Sequence, residues 1–384
     1  MTSAPLFFPA YPPIRFGYGA AALLPDEFAQ CGIKRPLLIT DKGLVACGVV
    51  AQVLDAFPKG AAPAVFDGIP PNPTIAGVDA ALAVYKAEGC DGIVGLGGGS
   101  VLDSGKALRV VATHRGAVLD YLTDPSKIGR DVAPYIALPT TSGTGAEVTF
   151  GGGIHIAPGE HQLGIRSPFV KPDMAICDPG LTLTMPPRLT AATGMDAFGH
   201  CVEGFLSRNE NPPAEAVALD GVSRVVAWIE RATADGSDRE ARSQMMMAGL
   251  QGGMSIYMGL GPIHALGHVF ADSDLHHGAL ITASAPSVLR FYARVSEAKK
   301  DAALKGKLAR LRAAMGLAPG ADIAAAIEGL NARLGLSSSV RELGYPANDT
   351  GALADLALEA FFTAAAPRRP NRDEYIAIIE DALG

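Results

Sequence analysis

Six side chains between Gly194 and Gly278 have the types and spacing of a metal site. Asp196 and His200 stand four apart in GMDAFGHCVEGF, and His264, His268, His276 and His277 follow in GPIHALGHVFADSDLHHG; five of the chain's 8 histidines fall in this stretch. Residues four apart share one face of a helix, so two helices could present carboxylate oxygen and imidazole nitrogen to one point. Asp196, His200, His264 and one of His276 or His277 would form an oxygen–nitrogen shell with room left for a substrate. Such donors, without thiolate, suit ferrous iron or zinc, and affinity order alone does not separate the two. A lone histidine is usually an ordinary hydrogen-bonded residue, but a carboxylate buried among imidazoles on an apolar helix needs a partner. An oxygen bound to such a cation loses its proton more readily, and a deprotonated alcohol can pass hydride to a nicotinamide ring; in reverse the cation polarises an aldehyde carbonyl. One proton must be relayed, and His268, one helical turn beyond His264, is the candidate for that relay or else an orienting neighbour of a ligand.

The first half of the chain has the pattern of a scaffold for the hydride acceptor. Predicted strands at Pro36–Thr40, Ala64–Phe66, Gly92–Leu96 and Tyr135–Leu138 alternate with predicted helices at Leu44–Phe57, Ala76–Glu88 and Val101–Ala112. This alternation implies crossovers and a largely parallel sheet, as in α/β nucleotide-binding domains. Ligands of such sheets lie beyond the carboxyl ends of the strands. At one such end, Gly97-Gly98-Gly99-Ser100 opens a helix at once, where backbone N–H groups and the helix dipole could hold a phosphate. A tight turn without a ligand would look the same, and the run is not the G-x-G-x-x-G fingerprint. Ser100 and Asp103 match a capping box. At a second end, Pro139-Thr140-Thr141-Ser142-Gly143-Thr144-Gly145 concentrates hydroxyls among glycines. At a third, Asp41 could accept hydrogen bonds from an adenosine ribose and repel a 2′-phosphate, favouring NAD over NADP, or could simply cap the next helix. The three ends together point to a nucleotide.

After about Leu181 the β-branched runs give way to Ala-, Leu- and Met-rich stretches with helical spacing, predicting helices over Pro187–Ser207, Pro213–Ala232, Arg239–Gly259 and Lys300–Ala314. Pro179-Gly180 and Met185-Pro-Pro187 punctuate the junction. The expected organisation is an α/β dinucleotide-binding domain over 1–185 and an all-helical metal and substrate domain over 186–384. A chain of 384 residues with 48% hydrophobic and 18% charged residues can bury large cores. Its net charge of −7 is spread without a basic stripe, so small molecules are the expected partners rather than nucleic acid. The 5 cysteines are scattered and never spaced C-x-x-C, which argues for reduced thiols. No apolar run reaches the ~18 residues of a membrane span and no signal peptide is evident, so a cytoplasmic enzyme is expected.

GGGSVLDSGKA, ALPTTSGTGAEVT, DPGLTLTMPPRLTAATGMDAFGHCVEGF and GPIHALGHVFADSDLHHG resemble, in order and spacing, the signatures of the iron-containing (group III) alcohol dehydrogenases, from Ile14-Arg-Phe-Gly17 to the final helix. The resemblance implies an N-terminal dinucleotide-binding domain, a helical C-terminal domain, and NAD(P) with one divalent metal in a cleft between them. It places the metal ligands at Asp196, His200, His264 and His277, and a further active-site histidine at His268. The pyrophosphate loop falls on Gly97, Gly98, Gly99 and Ser100, and nucleotide-contacting threonines on Thr140, Thr141 and Thr144. Asp41 matches a position that is acidic in NAD-preferring members, and Asn72 matches another cofactor contact. It also implies a dimer or larger homo-oligomer acting on a small primary alcohol or aldehyde, with iron favoured and zinc as the alternative.

Three departures bear on these assignments. The stretch between His268 and the His-Gly pair is one residue shorter than in many relatives; Gly278 after His277 favours that histidine over His276 as fourth ligand. Gln162, with His161 adjacent, stands where many relatives carry lysine. Phe150-Gly-Gly-Gly-Ile-His155 is richer in glycine than the usual apolar strand, with His155 either an extra polar group near the cleft or a surface residue. Two related branches make alternatives. Maleylacetate reductases share the glycine loops but generally lack the full ligand set, and sugar-phosphate cyclases typically begin theirs with Glu and add basic residues for a phosphate.

Overall fold

The strands whose residues are apolar without interruption lie at the centre of a parallel sheet, covered on both faces. The computed structural model describes residues 8, 10–58, 63–160, 162–273, 275–346 and 349–384, so His161 lies outside the described residues. The chain divides into two compact units. One comprises Tyr11–Thr141 and Gly145–Met185, and the other is built on Pro186–Gly384 together with the short segment Ser142–Thr144.

The first unit contains β1 (Ile14–Phe16), β2 (Pro36–Ile39), β3 (Ala64–Phe66), β4 (Gly92–Gly97), β5 (Tyr135–Pro139), β6 (Gly151–His155), β7 (Gln162–Arg166) and β8 (Met174–Cys177). Six of them form a sheet in the order β1-β8-β5-β4-β2-β3, and every pairing in it is parallel. Successive residues of a strand point to opposite faces. Leu37, Ile39, Ile93, Tyr135 and Ala137 accordingly enter one core, and Leu38, Val94, Leu96, Ile136 and Leu138 the other. A sheet buried on both faces explains the absence of polar alternation in β2, β4 and β5. β1 and β8 extend it by two strands beyond the four read from the sequence.

Two local expectations fail for identifiable reasons. The helix expected over Leu44–Phe57 is divided into Lys42–Ala46 and Val49–Leu54, because Gly48 between them adopts φ +84°. The Ser100–Asp103 capping box does not form. The helix Gly99–Val111 is capped at Gly98 without a side chain, and the Ser100 hydroxyl donates to the Pro71 carbonyl. Asp103 instead accepts from the Gly153 backbone N–H at 3.0 Å and from Lys106 Nζ at 3.0 Å.

That arrangement explains the glycine-rich strand. β6 pairs with β7 in an antiparallel hairpin. A Cβ on Gly152 would lie 2.6 Å from the Asp103 carboxyl carbon, and one on Gly153 would occupy the place of the Gln162 side chain. His155 is neither a surface group nor spare: it is 7% exposed and its Nδ1 lies 2.7 Å from the Glu160 carbonyl within the hairpin turn. Lys106 is fully buried and donates to Asp103, to Thr149 Oγ1 at 2.7 Å and to the Gly151 carbonyl at 2.6 Å. This is the full pairing that an interior ammonium requires.

Glu147, on the short turn Ala146–Val148, is a second buried charge of this unit. Burial pushes its carboxyl up to about 7, against the pull of Lys106. Because its folded-state proton affinity exceeds that of the unfolded chain, its contribution to stability is complete below the ordinary value of 4.5 and is lost as pH rises through about 7. Glu147→Gln should therefore melt like wild type near pH 5. At pH 9 it should be more stable by roughly 3 kcal/mol, at about 1.4 kcal/mol per tenfold change in proton affinity. Denaturant melts at the two pH values check this; equal differences at both would contradict it.

The second unit is helical throughout its described residues after Pro186, with 3-10 turns between helices and one large apolar core. Asn211, Asp238, Asp301, Asp322, Asp349 and Asn371 each cap the helix they precede by accepting a backbone N–H. The expected helix Arg239–Gly259 ends as α-helix at Ser255 and tightens to a 3-10 turn, because Gly259 at φ +100° cannot continue it. The Ser142–Thr144 segment reaches this unit through two glycines. A Cβ on Gly143 would lie 2.8 Å from Thr193 Cβ, and one on Gly249 would lie 3.0 Å from Gly143 N.

Candidate functional site

The helix Pro187–Leu206 carries Asp196, His200 and Glu203 on one face, four and then three residues apart, and all three are buried. Its glycines let neighbours close on that face. A Cβ on Gly199 would lie 2.7 Å from Ile281 and 3.6 Å from the His264 ring. A short helix, Pro262–Val269, brings His264 and His268, and His277 is the first residue of the long helix His277–Ala298.

Asp196 Oδ1 is the centre of the cluster. It lies 3.7 Å from His264 Nε2, 3.9 Å from His200 Nε2 and 3.9 Å from His277 Nε2. Donor atoms of Asp196, His264 and His277 are all within 4.8 Å of one another, and the His200 and His264 rings stack at 4.4 Å between centroids. These separations exceed hydrogen bonds but approach the ~3.4 Å between donors each ~2.1 Å from one tetrahedral cation. Asp196 Oδ1 and His264 Nε2 are buried with no hydrogen-bond partner. A carboxylate oxygen without a hydrogen-bond partner in a dry interior, ringed by imidazole nitrogens beyond hydrogen-bond reach, is unfavourable unless a cation lies among them, so the donor set fits a divalent metal.

Electrostatics point the same way. Burial alone would raise the Asp196 carboxyl, but His200, His264 and His277 outweigh it and hold the group well below the usual carboxylate range. Burial pushes His200 down to about 3 despite Asp196. For His264 burial is overcome by the Asp196 and Glu203 carboxylates, which raise it to about 9. A cation must displace that His264 proton to bind.

Of the two adjacent histidines, His277 is in this cluster and His276 is not; His276 is the residue before the long helix. His200 and His268 both lie outside the group of three donors; His200 Nε2 stands 3.9 Å from Asp196 Oδ1, whereas the His268 ring meets the His277 ring edge-on, with centroids 5.8 Å apart.

The nucleotide-type residues gather at the carboxyl ends of the strands of the first unit. Gly97–Ser100 follows β4, and Thr140 and Thr141 follow β5. Thr140 N donates to the Gly97 carbonyl at 3.0 Å, and a Cβ on Gly98 would lie 3.0 Å from Thr141 Cγ2. The loop bearing exposed Asn72 adjoins Ser100 through the Pro71 carbonyl. Asp41 follows β2 and caps the next helix, its Oδ1 accepting from Leu44 N at 3.0 Å. Thr144 lies in the short segment assigned to the helical unit.

Residues 12–179 match the family model described as iron-containing alcohol dehydrogenase, and residues 190–383 match that of the Fe-containing alcohol dehydrogenase C-terminal region. The chain belongs to the iron-containing alcohol dehydrogenase family. A 4-hydroxybutyrate dehydrogenase of Cupriavidus necator is 47% identical over 340 residues, covering 86% of this chain and 87% of that protein. A solved 1,3-propanediol oxidoreductase is 33% identical with a TM-score of 0.89, over 98% of this chain and 100% of the other. A sulfoacetaldehyde reductase of Bifidobacterium kashiwanohense, solved with NAD+, is 26% identical with a TM-score of 0.89, over 99% of each chain. This iron-containing alcohol dehydrogenase family member is therefore an oxidoreductase of small alcohols and aldehydes.

One residue in this alcohol dehydrogenase was missed by reading the sequence for metal donors. Glu203 lies in the GHCVEGF motif, three after His200, and its Oε2 is 2.6 Å from His264 Nδ1. The spacing Asp196, His200, Glu203 follows one helical face and was the available signal.

Proposed function

We propose that this alcohol dehydrogenase holds one divalent cation, Fe2+ ahead of Zn2+, on Asp196, His200, His264 and His277, and uses NAD to interconvert a short primary alcohol and its aldehyde. The reading is carried by the convergence of three imidazole nitrogens, 3.7–3.9 Å away, on one buried carboxylate oxygen that has no hydrogen-bond partner. When bound, the cation would polarise the substrate oxygen and favour its deprotonated form. His268, beside His277, would carry the hydroxyl proton to and from solvent. The backbone of Gly97, Gly98, Gly99 and Ser100 would hold the pyrophosphate at the start of its helix, with Thr140, Thr141, Thr144 and Asn72 as further contacts. The 47% identical relative makes 4-hydroxybutyrate and its aldehyde the first substrate pair to test.

Assays with NAD and NADP, on metal-reconstituted and chelator-stripped protein, test this reading. The expected outcome is NADH formation that disappears with the metal and returns with Fe2+ or Zn2+. Unchanged turnover after verified metal removal would contradict it.

Cofactor choice rests on Asp41, which also caps a helix, so the informative change keeps a cap and removes the charge. Asp41→Ser should raise kcat/KM with NADP by about tenfold, or ~1.4 kcal/mol, because serine still caps but no longer repels a 2′-phosphate. A wild-type preference for NADP would refute the assignment.

We also propose a homodimer or larger homo-oligomer in the cytoplasm. The family resemblance supports the first part, and the five cysteines, all unpaired, the second. Among the described residues no helix is long and apolar enough to cross a membrane. Light scattering of the full chain tests the assembly; a monomer at micromolar concentration would contradict it.

A further inference from the structure

The helix that presents His264 begins without a cap of its own. Gly261 precedes it and offers no side chain, and Pro262 at its first position has no N–H. The first free donors are therefore Ile263 N and His264 N, and both are taken by one carboxylate from another helix. Glu203 Oε1 accepts from Ile263 N at 2.6 Å, and Glu203 Oε2 accepts from His264 N at 3.3 Å. The same Oε2 lies 2.6 Å from His264 Nδ1, and both side chains are 2% exposed. A Cβ on Gly261 would lie 2.8 Å from Glu203 Oε1, so glycine at that position is what lets the carboxylate approach.

A carboxylate only accepts hydrogen bonds, so the His264 nitrogen facing it must carry the proton. A neutral imidazole has one N–H. With that proton on Nδ1, Nε2 presents its lone pair to Asp196 Oδ1, 3.7 Å away. From this geometry we infer that Glu203 is a positioning residue that selects the metal-ready tautomer of His264 and sets its ring, while also capping its helix. It stands on the same helical face as Asp196 and His200, so one rigid helix fixes two donors and orients a third. The inference rests on the metal reading above.

The test compares full-length wild type with Glu203→Gln and Glu203→Ala. Each apo protein is titrated with Zn2+ against a chromophoric chelator, melted without metal, and examined with 15N-labelled histidine by NMR at alkaline pH, where the His264 ring is neutral and a single tautomer can be read. The Gln side chain keeps an acceptor for Ile263 N but turns a donor towards His264, which moves the ring proton to Nε2. Glu203→Gln should therefore bind Zn2+ 10- to 100-fold more weakly, in the range usual for partners of metal ligands. Its apo melting temperature should stay near that of wild type, and its His264 signals should change tautomer. Glu203→Ala should lose both metal affinity and melting temperature.

Zn2+ affinity in Glu203→Gln equal to wild type would overturn the inference. An unchanged tautomer, with Gln and Ala lowering the melting temperature alike, would reduce Glu203 to a helix cap and overturn it equally. Wild type that takes up no Zn2+ would instead bring down the metal reading itself, and this inference with it.

Discussion

Asp196→Asn should reduce kcat/KM by about a thousandfold or more, equivalent to ~4 kcal/mol of transition-state stabilisation, and should leave a protein that no longer retains metal through gel filtration. Asp196 contributes the carboxylate oxygen on which the three imidazole nitrogens converge, each 3.7–3.9 Å away. Asparagine preserves shape and helix while removing the charge that balances a divalent ion. The comparison is metal content by elemental analysis alongside turnover. A variant with full metal content and wild-type turnover would remove Asp196 from the site.

His268→Ala should have the next largest effect, lowering kcat by about a hundredfold, the scale on which a positioned acid–base group acts. Metal content should change little, because the His268 ring stands edge-on to that of His277 and is not one of the four proposed ligands. Added imidazole should restore part of the lost rate if the histidine handles a proton. A loss of metal matching the loss of turnover, with no rescue, would make His268 a structural neighbour of His277 instead.

Much of this arrangement was legible in the sequence because it rests on local periodicity. β2, β4 and β5 read as strands since both faces are buried and no polar alternation interrupts them. Asp196 with His200 and His264 with His268 read as helical pairs because four-residue spacing survives any tertiary context. What was not legible depends on residues distant in the chain. The Ser100–Asp103 pattern is a correct local signature that loses to a tertiary partner, since Gly152, 49 residues on, leaves room for Asp103 to bind the β6 backbone. The triple glycine reads as a weak strand until Asp103 and Gln162 are seen to occupy the space its side chains would need.

Glu203 shows a different limit. Its position on the Asp196 face could be counted, but its work depends on where the Pro262 helix begins, and no spacing within the motif reveals that. His276 and His277 are equivalent by type; Gly278 favours His277 through the family resemblance alone, and it is His277, at the start of the long helix, that stands in the cluster.

The central claim is that one cation is held jointly by Asp196, His200, His264 and His277. Anomalous diffraction at the metal edge, from crystals of the metal-loaded protein, tests it most directly. The account predicts one strong peak bonded to Asp196 Oδ1 and to Nε2 of all three histidines, at about 2.0–2.2 Å from each. A peak bonded to His276 in place of His277, or a metal found only away from Asp196, would contradict it.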